Sequence, residues 1–192
     1  MENASLREFF SKCTYLSQNA AEAALDAWTE TTLMKRSDFL IRPDQTESHL
    51  YWVLEGYFRL FFMTPDAEEI CVGFGYENSF LCSFPSFVNN LPSGYYIQAI
   101  SSAKLLGIKR SAFLEMLNQH ADFERLWRTL LEQALVGRIE RETELFIKSP
   151  EERLKKLMDR SPHIFQKIPL KYIASYLRMT PETLSRIRAK KS

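Results

Sequence analysis

Hydrophobic and polar residues follow three successive patterns along the chain, and each pattern predicts a different kind of element. Residues 5–29 carry apolar side chains at helical spacing among good helix formers, which predicts helices. From about residue 31 to 110, short β-branched and aromatic runs alternate with turn-forming pieces, which predicts about six to eight strands. This spacing favours an antiparallel sandwich or barrel over alternating βαβ units. After residue 110 the helical pattern returns.

Two turn signals in the strand region predict hairpins. Gly56 separates two strong strand segments, and Pro65 with Asp66 separates the next two. Glycine accepts the positive φ of a tight turn, and Pro-Asp is a frequent turn dipeptide. We therefore expect a hairpin at each place.

The second helical region predicts one short helix at 111–120 and a proline-free helix over about 27 residues, which would span about 40 Å. The long helix has more than one apolar edge. A second edge can be buried within the chain or can form a dimer seam, and the short remaining sequence favours the dimer. The predicted seam residues are Leu126, Trp127, Leu130, Leu131, Ala134 and Leu135.

Helix-capping signals follow the long helix. Ser149 and Pro150 are an N-cap and first-turn pair, with Glu152 in the capping-box position, so a new helix and a domain boundary are expected there. A further helix should begin near Pro169, and Thr180 should cap the last one.

Composition and charge narrow the class of protein. The 192 residues include fourteen Phe and are 45% hydrophobic, which indicates a folded, aromatic-rich core. We find no apolar run of about 18 residues and no secretory signal pattern, so a cytoplasmic protein is expected. From residue 149 onward eleven Lys and Arg face four Asp and Glu, a net charge of +7 against −6 for residues 1–148. The basic part could face nucleic acid or simply be solvated.

The three cysteines, Cys13, Cys71 and Cys82, have no close spacing. An odd number without a spacing motif argues against a disulfide framework and against a Cys-rich metal site. They are expected to behave as small hydrophobic residues.

The last two predicted helices, 169–177 and 180–190, have the proportions of a helix-turn-helix, with Ala174 allowing a close crossing. An ordinary helical hairpin that caps a domain has similar proportions. In a helix-turn-helix the second helix enters the DNA major groove. There Arg186 could bond guanine and Glu182 could accept from the cytosine amino group. The predicted contacts to the DNA backbone are Lys171, Thr180, Thr183, Ser185, Arg188 and Lys190, with further charge from Lys191.

The stretch IASYLRMTPETLSRIR, together with LYWVLEG in the strand region, resembles the Crp/Fnr family of bacterial transcription factors. The resemblance covers nearly the whole chain. It implies an α+β fold: an antiparallel β-roll of the cyclic-nucleotide-binding type (a double-stranded β-helix) with flanking helices, a long dimerisation helix and a C-terminal helix-turn-helix. The implied domains are a sensing β-roll at 1–121, a dimerisation helix at 122–148 and a DNA-binding domain at 149–192. The implied partners are double-stranded DNA, a second copy of the chain and RNA polymerase.

The sequence departs from the family where a cyclic nucleotide would bind. Cys82 and Ser83 stand where the family's phosphate cassette has Gly and the Glu that holds the ribose hydroxyl, and residues 92–98, where the family has a phosphate-binding Arg, contain no cation. A buried phosphate would be poorly compensated there, so cyclic AMP is not expected in the usual mode. An aromatic pocket could hold an apolar or flat ligand, or be filled by its own side chains. Its candidate residues are Phe74, Phe80, Cys82, Ser83, Phe84, Tyr95 and Tyr96.

Other departures concern cofactors and the DNA-binding part. Only Cys13 lies near the N-terminus, so no iron–sulfur cluster is expected, and His49 and His120 are expected at the surface rather than on haem. Arg178 stands where the family has a turn Gly, which predicts strain if φ is positive. Residues 161–167 are short for the family's wing hairpin, so a reduced wing is expected.

Two other classes of protein share parts of this pattern. A cupin-like metalloenzyme would need clustered histidines, whereas the three His here are far apart, and no catalytic motif is found. We therefore expect no enzyme. A cyclic-nucleotide-binding-like signalling module that binds protein partners without DNA is the remaining alternative, and salt dependence of binding would separate the two.

Overall fold

The structure is a computed structural model that describes residues 3–189. The chain divides into two compact units, residues up to 60 with 74–132, and 61–73 with the residues from 133 onward. The division into 1–121, 122–148 and 149–192 stays a prediction.

Helices flank a run of strands, in the order that the sequence pattern predicts. The strands are β1 (Glu30–Met34), β2 (Phe39–Ile41), β3 (His49–Glu55), β4 (Tyr57–Met63), β5 (Glu69–Tyr76), β6 (Phe80–Leu81), β7 (Tyr96–Ala99) and β8 (Ala103–Lys109). The helices are α1 (Ala4–Ser11), α2 (Gln18–Ala27), α3 (Phe84–Asn89), α4 (Arg110–Gln119), α5 (Ala121–Leu145), α6 (Pro150–Arg160), α7 (Ile164–Lys167), α8 (Leu170–Tyr176) and α9 (Pro181–Ala189).

The strands form two four-stranded sheets, with orders β1-β8-β3-β6 and β2-β7-β4-β5. The central pair β3 and β8 is antiparallel, with Trp52 opposite Leu106. The antiparallel β architecture with flanking helices is therefore confirmed.

Alternating side chains of β3 explain why the first sheet is buried on both faces. Leu50 and Trp52 point into a core with α1, α2, α4 and the start of α5, where Phe10 and Phe113 also lie. Val53 points to a second core that joins side chains of both sheets. Successive strand residues face opposite sides, so one strand serves two cores.

The expected hairpin at Gly56 is wrong, because β3 and β4 lie in different sheets. Gly56 has φ +95°, and a Cβ there would lie 2.6 Å from the Ser102 carbonyl oxygen. Glycine is therefore needed at the point where the chain passes from one sheet to the other. The second turn is confirmed as a hairpin: β4 and β5 are neighbours, and the Thr64 N–H bonds the Glu68 carbonyl at 2.9 Å.

The helices after residue 149 begin where their caps predict. The Ser149 hydroxyl accepts from the Glu152 N–H at 3.2 Å, which starts α6. The segment expected to hold a reduced wing contains the short helix α7 instead of strands. No helix among residues 3–189 is long and apolar enough to cross a membrane.

Candidate nucleic-acid interface

Helix α9 has one buried and one exposed side. Thr180 caps it, with its Oγ1 accepting the Thr183 N–H at 3.2 Å. Leu184 and Ile187 are buried, and α9 contacts α6 and α8. The spacing of three residues between them keeps both on one side of the helix, which leaves the other side to solvent.

The exposed side carries the residues predicted to contact bases. Glu182, Ser185 and Arg186 are all exposed, and Glu182 and Arg186 are four residues apart, on the same face. Hydrogen bonds from its own backbone N–H and from the Thr180 hydroxyl lower the pKa of the Glu182 carboxyl. Glu182 is therefore anionic at neutral pH at the positive end of the helix.

The predicted backbone contacts are spread over α8 and α9. Lys171 is exposed on α8, with its Nζ 4.9 Å from the centre of the Tyr172 ring. Thr180 and Arg188 are exposed and Thr183 is half-buried. The remaining predicted contacts, Lys190 and Lys191, lie outside the described residues.

The turn between α8 and α9 contains a residue with positive φ, as the comparison with the family's turn glycine suggested. Arg178 has φ +53°, in the left-handed region. A side chain with a Cβ is strained there, where glycine is not. The Met179 N–H bonds the Ala174 carbonyl at 3.0 Å and closes the turn.

Sequence reasoning missed a buried cation beneath this turn. Arg153 of α6 is only 9% exposed, and its guanidinium donates to two pairs of carbonyls. One pair belongs to the turn: Leu177 at 3.0 Å from Nε and Arg178 at 3.3 Å from Nη2. The other pair, Ile147 and Lys148, follows α5. The partners lie up to 25 residues away in sequence, so no local pattern signals this contact.

The residues predicted for an effector pocket lie in different environments. Phe80 and Cys82 pack against the helix-side core, where the Phe80 ring is 4.9 Å from that of Trp52. Phe84 is 42% exposed and Ser83 is buried. Tyr96 stacks edge-on against Phe39 at 5.7 Å, and Phe74 and Tyr95 are half-buried.

A buried polar cluster surrounds Ser83. Glu47 is 4% exposed and accepts the backbone N–H groups of Ser83 and His49 at 3.3 Å each. Burial raises the pKa of Glu47 to about 7, although these bonds oppose the shift. The Ser83 and Ser93 hydroxyls bond each other at 2.7 Å. Burial, followed by the nearby Glu47, raises the pKa of the Cys82 thiol, so that thiol is uncharged and unreactive.

The predicted seam residues of α5 separate into two groups. Leu126 is buried in the chain's own core, with Trp127 and Leu130 packed against it. Leu131 is half-buried and Ala134 exposed, and Leu135 is 60% exposed. The neighbouring Val136 and Ile139 are also more than half exposed.

The candidate metal ligands are dispersed. His49, which was expected at the surface, is half-buried at the start of β3, with its Nε2 2.8 Å from a Glu30 carboxylate oxygen. His120 follows α4 as expected. Within residues 3–189, no three His, Cys, Asp or Glu side chains are grouped so as to hold a metal ion.

Comparison with known proteins identifies the first part of the chain. Residues 32–120 match the family model described as the cyclic nucleotide-binding domain. This segment is therefore similar to the cyclic nucleotide-binding domain family. No curated protein matches the sequence.

Solved structures extend the similarity from the cyclic nucleotide-binding domain to the whole chain. The c-di-GMP-responsive global regulator CLP of Xanthomonas campestris is 15% identical, with a TM-score of 0.67 and coverage of 91% of each chain. FixK2 of Bradyrhizobium japonicum is 19% identical, with a TM-score of 0.69 over 84% of this chain and 83% of its own. A Eubacterium rectale protein assigned to the Crp/Fnr family of transcriptional regulators is 16% identical, with a TM-score of 0.68 and coverage of 90% and 82%. The predicted Crp/Fnr resemblance is confirmed at the level of the fold.

Proposed function

We propose that this chain is a transcription regulator of the Crp/Fnr type, not an enzyme, and that it binds double-stranded DNA through α9. One observation carries the proposal: a capped helix buries Leu184 and Ile187 and exposes Glu182, Ser185 and Arg186 on its opposite side. The shared fold of CLP and FixK2 supports it.

The exposed side chains can donate and accept hydrogen bonds at the edge of a base pair. Arg186 would donate two hydrogen bonds to guanine, and Glu182 would accept from cytosine. Thr180, Ser185 and Lys171 would fix the register through phosphates, with Thr183, Arg188 and Lys190 adding contacts. Two such helices must meet half-sites about 34 Å apart, which requires a dimer.

The dimer would pair the exposed apolar side of α5, at Leu135, Val136 and Ile139. We expect Ile139→Asp to turn the dimer into a monomer, because it puts a charge into that seam. Ile139→Val is the matched control, since it keeps an apolar side chain at the same position of α5. Sedimentation velocity at micromolar concentration would measure both, and a wild-type monomer would contradict the seam.

The effector is unassigned, and cyclic AMP in its usual mode is not proposed. A signal at the β-roll would change how the α5 helices pair, which would reset the spacing of the two recognition helices. RNA polymerase would be the downstream partner. The second candidate function, a signalling module without DNA, remains the alternative that the DNA experiment tests.

The test is selection of operator sites from a random duplex pool, followed by fluorescence anisotropy on the selected site. Arg186→Ala should weaken binding by about 1–3 kcal/mol and relax one base position. Arg36→Ala removes an exposed cation from the connection between β1 and β2 and should leave affinity unchanged. Affinity of the wild type should fall steeply as salt rises. Equal affinity of the Arg186 variant and the wild type would refute this base contact, and binding independent of salt would favour the protein-binding module.

A further inference from the structure

The end of the β4–β5 hairpin, residues 61–73, belongs to the same compact unit as the helices after residue 133. The Ser175 hydroxyl of α8 accepts the Cys71 N–H at 3.0 Å and donates to the Glu69 carbonyl at 3.2 Å. β5 is the outer strand of its sheet, so backbone groups on its outer side have no strand partner. One hydroxyl therefore satisfies a donor and an acceptor two residues apart and attaches the hairpin to α8.

The hairpin occupies a side of α8 that the proposed function needs. Ser175 and Lys171 are four residues apart in α8, so they lie on the same face of the helix. Lys171 is exposed and is a proposed phosphate contact. The face that would approach the DNA backbone is thus the face to which the hairpin is bonded.

The negative charge of the hairpin would repel DNA phosphates at this face of α8. Its turn and the first residue of β5 carry three exposed carboxylates within four residues, at Asp66, Glu68 and Glu69. The chain from residue 149 onward carries a net charge of +7. The acidic residues of the hairpin are attracted to this basic part of the chain. They would repel the phosphates that the same part would bind.

A second contact holds α8 from the long helix. The Arg141 guanidinium of α5 lies 4.2 Å from the centre of the Tyr176 ring, adjacent to Ser175. Two neighbouring residues of α8 are therefore fixed by two different elements. A change in either element would alter the same helix.

We propose that the β4–β5 hairpin is an autoinhibitory element: docked through Ser175, it withholds α8 from the DNA backbone, and tight DNA binding requires its release. The inference rests on the proposed function. It assigns the hairpin a regulatory role that is independent of which effector the chain senses.

The experiment compares full-length Ser175→Ala, Ser175→Thr and wild type by anisotropy on a 30-base-pair mixed-sequence duplex. Ser175→Ala loses both bonds to β5 and should bind DNA about tenfold more tightly. It should also speed hydrogen exchange of the Cys71 amide, whereas the hydroxyl of Ser175→Thr should preserve both properties.

A charge variant tests the hairpin without touching α8. Glu68→Gln should also tighten DNA binding, by about threefold. Glu115→Gln on α4 makes the same change in net charge elsewhere and should have no effect. The pair separates a local repulsion from a change in total charge.

The outcomes distinguish this inference from the proposed function. If Ser175→Ala frees the Cys71 amide yet binds DNA no more tightly than wild type, the hairpin is not autoinhibitory, although DNA binding stands. Equal effects of Glu68→Gln and Glu115→Gln would also overturn it. If no variant shows salt-dependent DNA binding, the proposed function fails, and this inference fails with it.

Discussion

Replacing Arg153 by Met should loosen the helix-turn-helix while leaving the β-roll intact. Arg153 is buried and bonds four carbonyls, at Leu177, Arg178, Ile147 and Lys148. The methionine is close in length and apolar, so the principal change is the loss of these charge-assisted bonds.

The magnitude follows from the geometry. Two of the bonds, to Leu177 and Ile147, are close, and the other two are at 3.3 Å. At about 1.5–2 kcal/mol for each close bond to a charged group, the local free energy of unfolding should fall by about 3 kcal/mol. Because 1.36 kcal/mol is a factor of ten, amide exchange should accelerate by about two orders of magnitude.

The assay must read the two compact units separately, since they need not unfold in one step. All three Trp residues, Trp28, Trp52 and Trp127, lie in the first unit, so fluorescence in urea reports on the β-roll and its helices. Hydrogen exchange of peptides from 150–189 reports on the second unit. We expect an unchanged urea midpoint and faster exchange.

Two control variants sharpen the result. Lys156→Met removes an exposed cation from the same helix and should change exchange by less than about threefold. Arg153→Lys keeps the charge without the planar fork and should give an intermediate effect. The reasoning is refuted if Arg153→Met exchanges as slowly as Lys156→Met.

Two further predictions concern pH and backbone strain. Because the folded-state pKa of Glu47 is raised to about 7, above its unfolded value, stability should fall by about 3 kcal/mol as pH rises from about 4.5 to 7. Glu47→Gln should remove this slope in urea titrations followed by Trp fluorescence, and an unchanged slope would contradict the assignment. Arg178→Gly should stabilise the second unit by about 0.5–1 kcal/mol, because φ +53° suits glycine. Arg178→Ala removes the same charge but keeps the Cβ, so equal exchange in these two variants would exclude strain relief.

Local signals in the sequence predicted the helix boundaries well. Ser149 and Thr180 cap their helices through N–H groups three residues away, so all the needed information is adjacent in the chain. The family resemblance raised a positive φ at Arg178, where other members have a turn glycine, and the structure has φ +53° there. Helix capping depends on a few consecutive residues, so both caps could be read from the sequence.

The sequence is least informative at positions whose structure depends on residues far away in the chain. One glycine between two strands fits a hairpin and a passage between sheets equally well. In the structure the chain passes between sheets at Gly56, where Ser102 and Ala103 lie too close for a side chain. Phe80 and Leu81 are adjacent in β6 but belong to different cores, and an aromatic count alone does not show which core Phe80 enters. Strand alternation separates the two residues, but only the pairing with β3 shows which side each one faces.

The residues missed by sequence reasoning share one physical feature: each is a polar side chain that bonds backbone groups, some of them far away in the sequence. Ser175 bonds strand β5 from about 105 positions away, and Arg153 reaches the turn across 24 or more. Backbone carbonyls and amides have no residue identity, so no sequence motif encodes such contacts. Both nevertheless act on the short segment that ends α8 and begins α9. The buried guanidinium and the hydroxyl add directional bonds to the apolar packing of Leu184 and Ile187. Both residues therefore constrain α8 and the turn before α9 without belonging to the exposed side of α9.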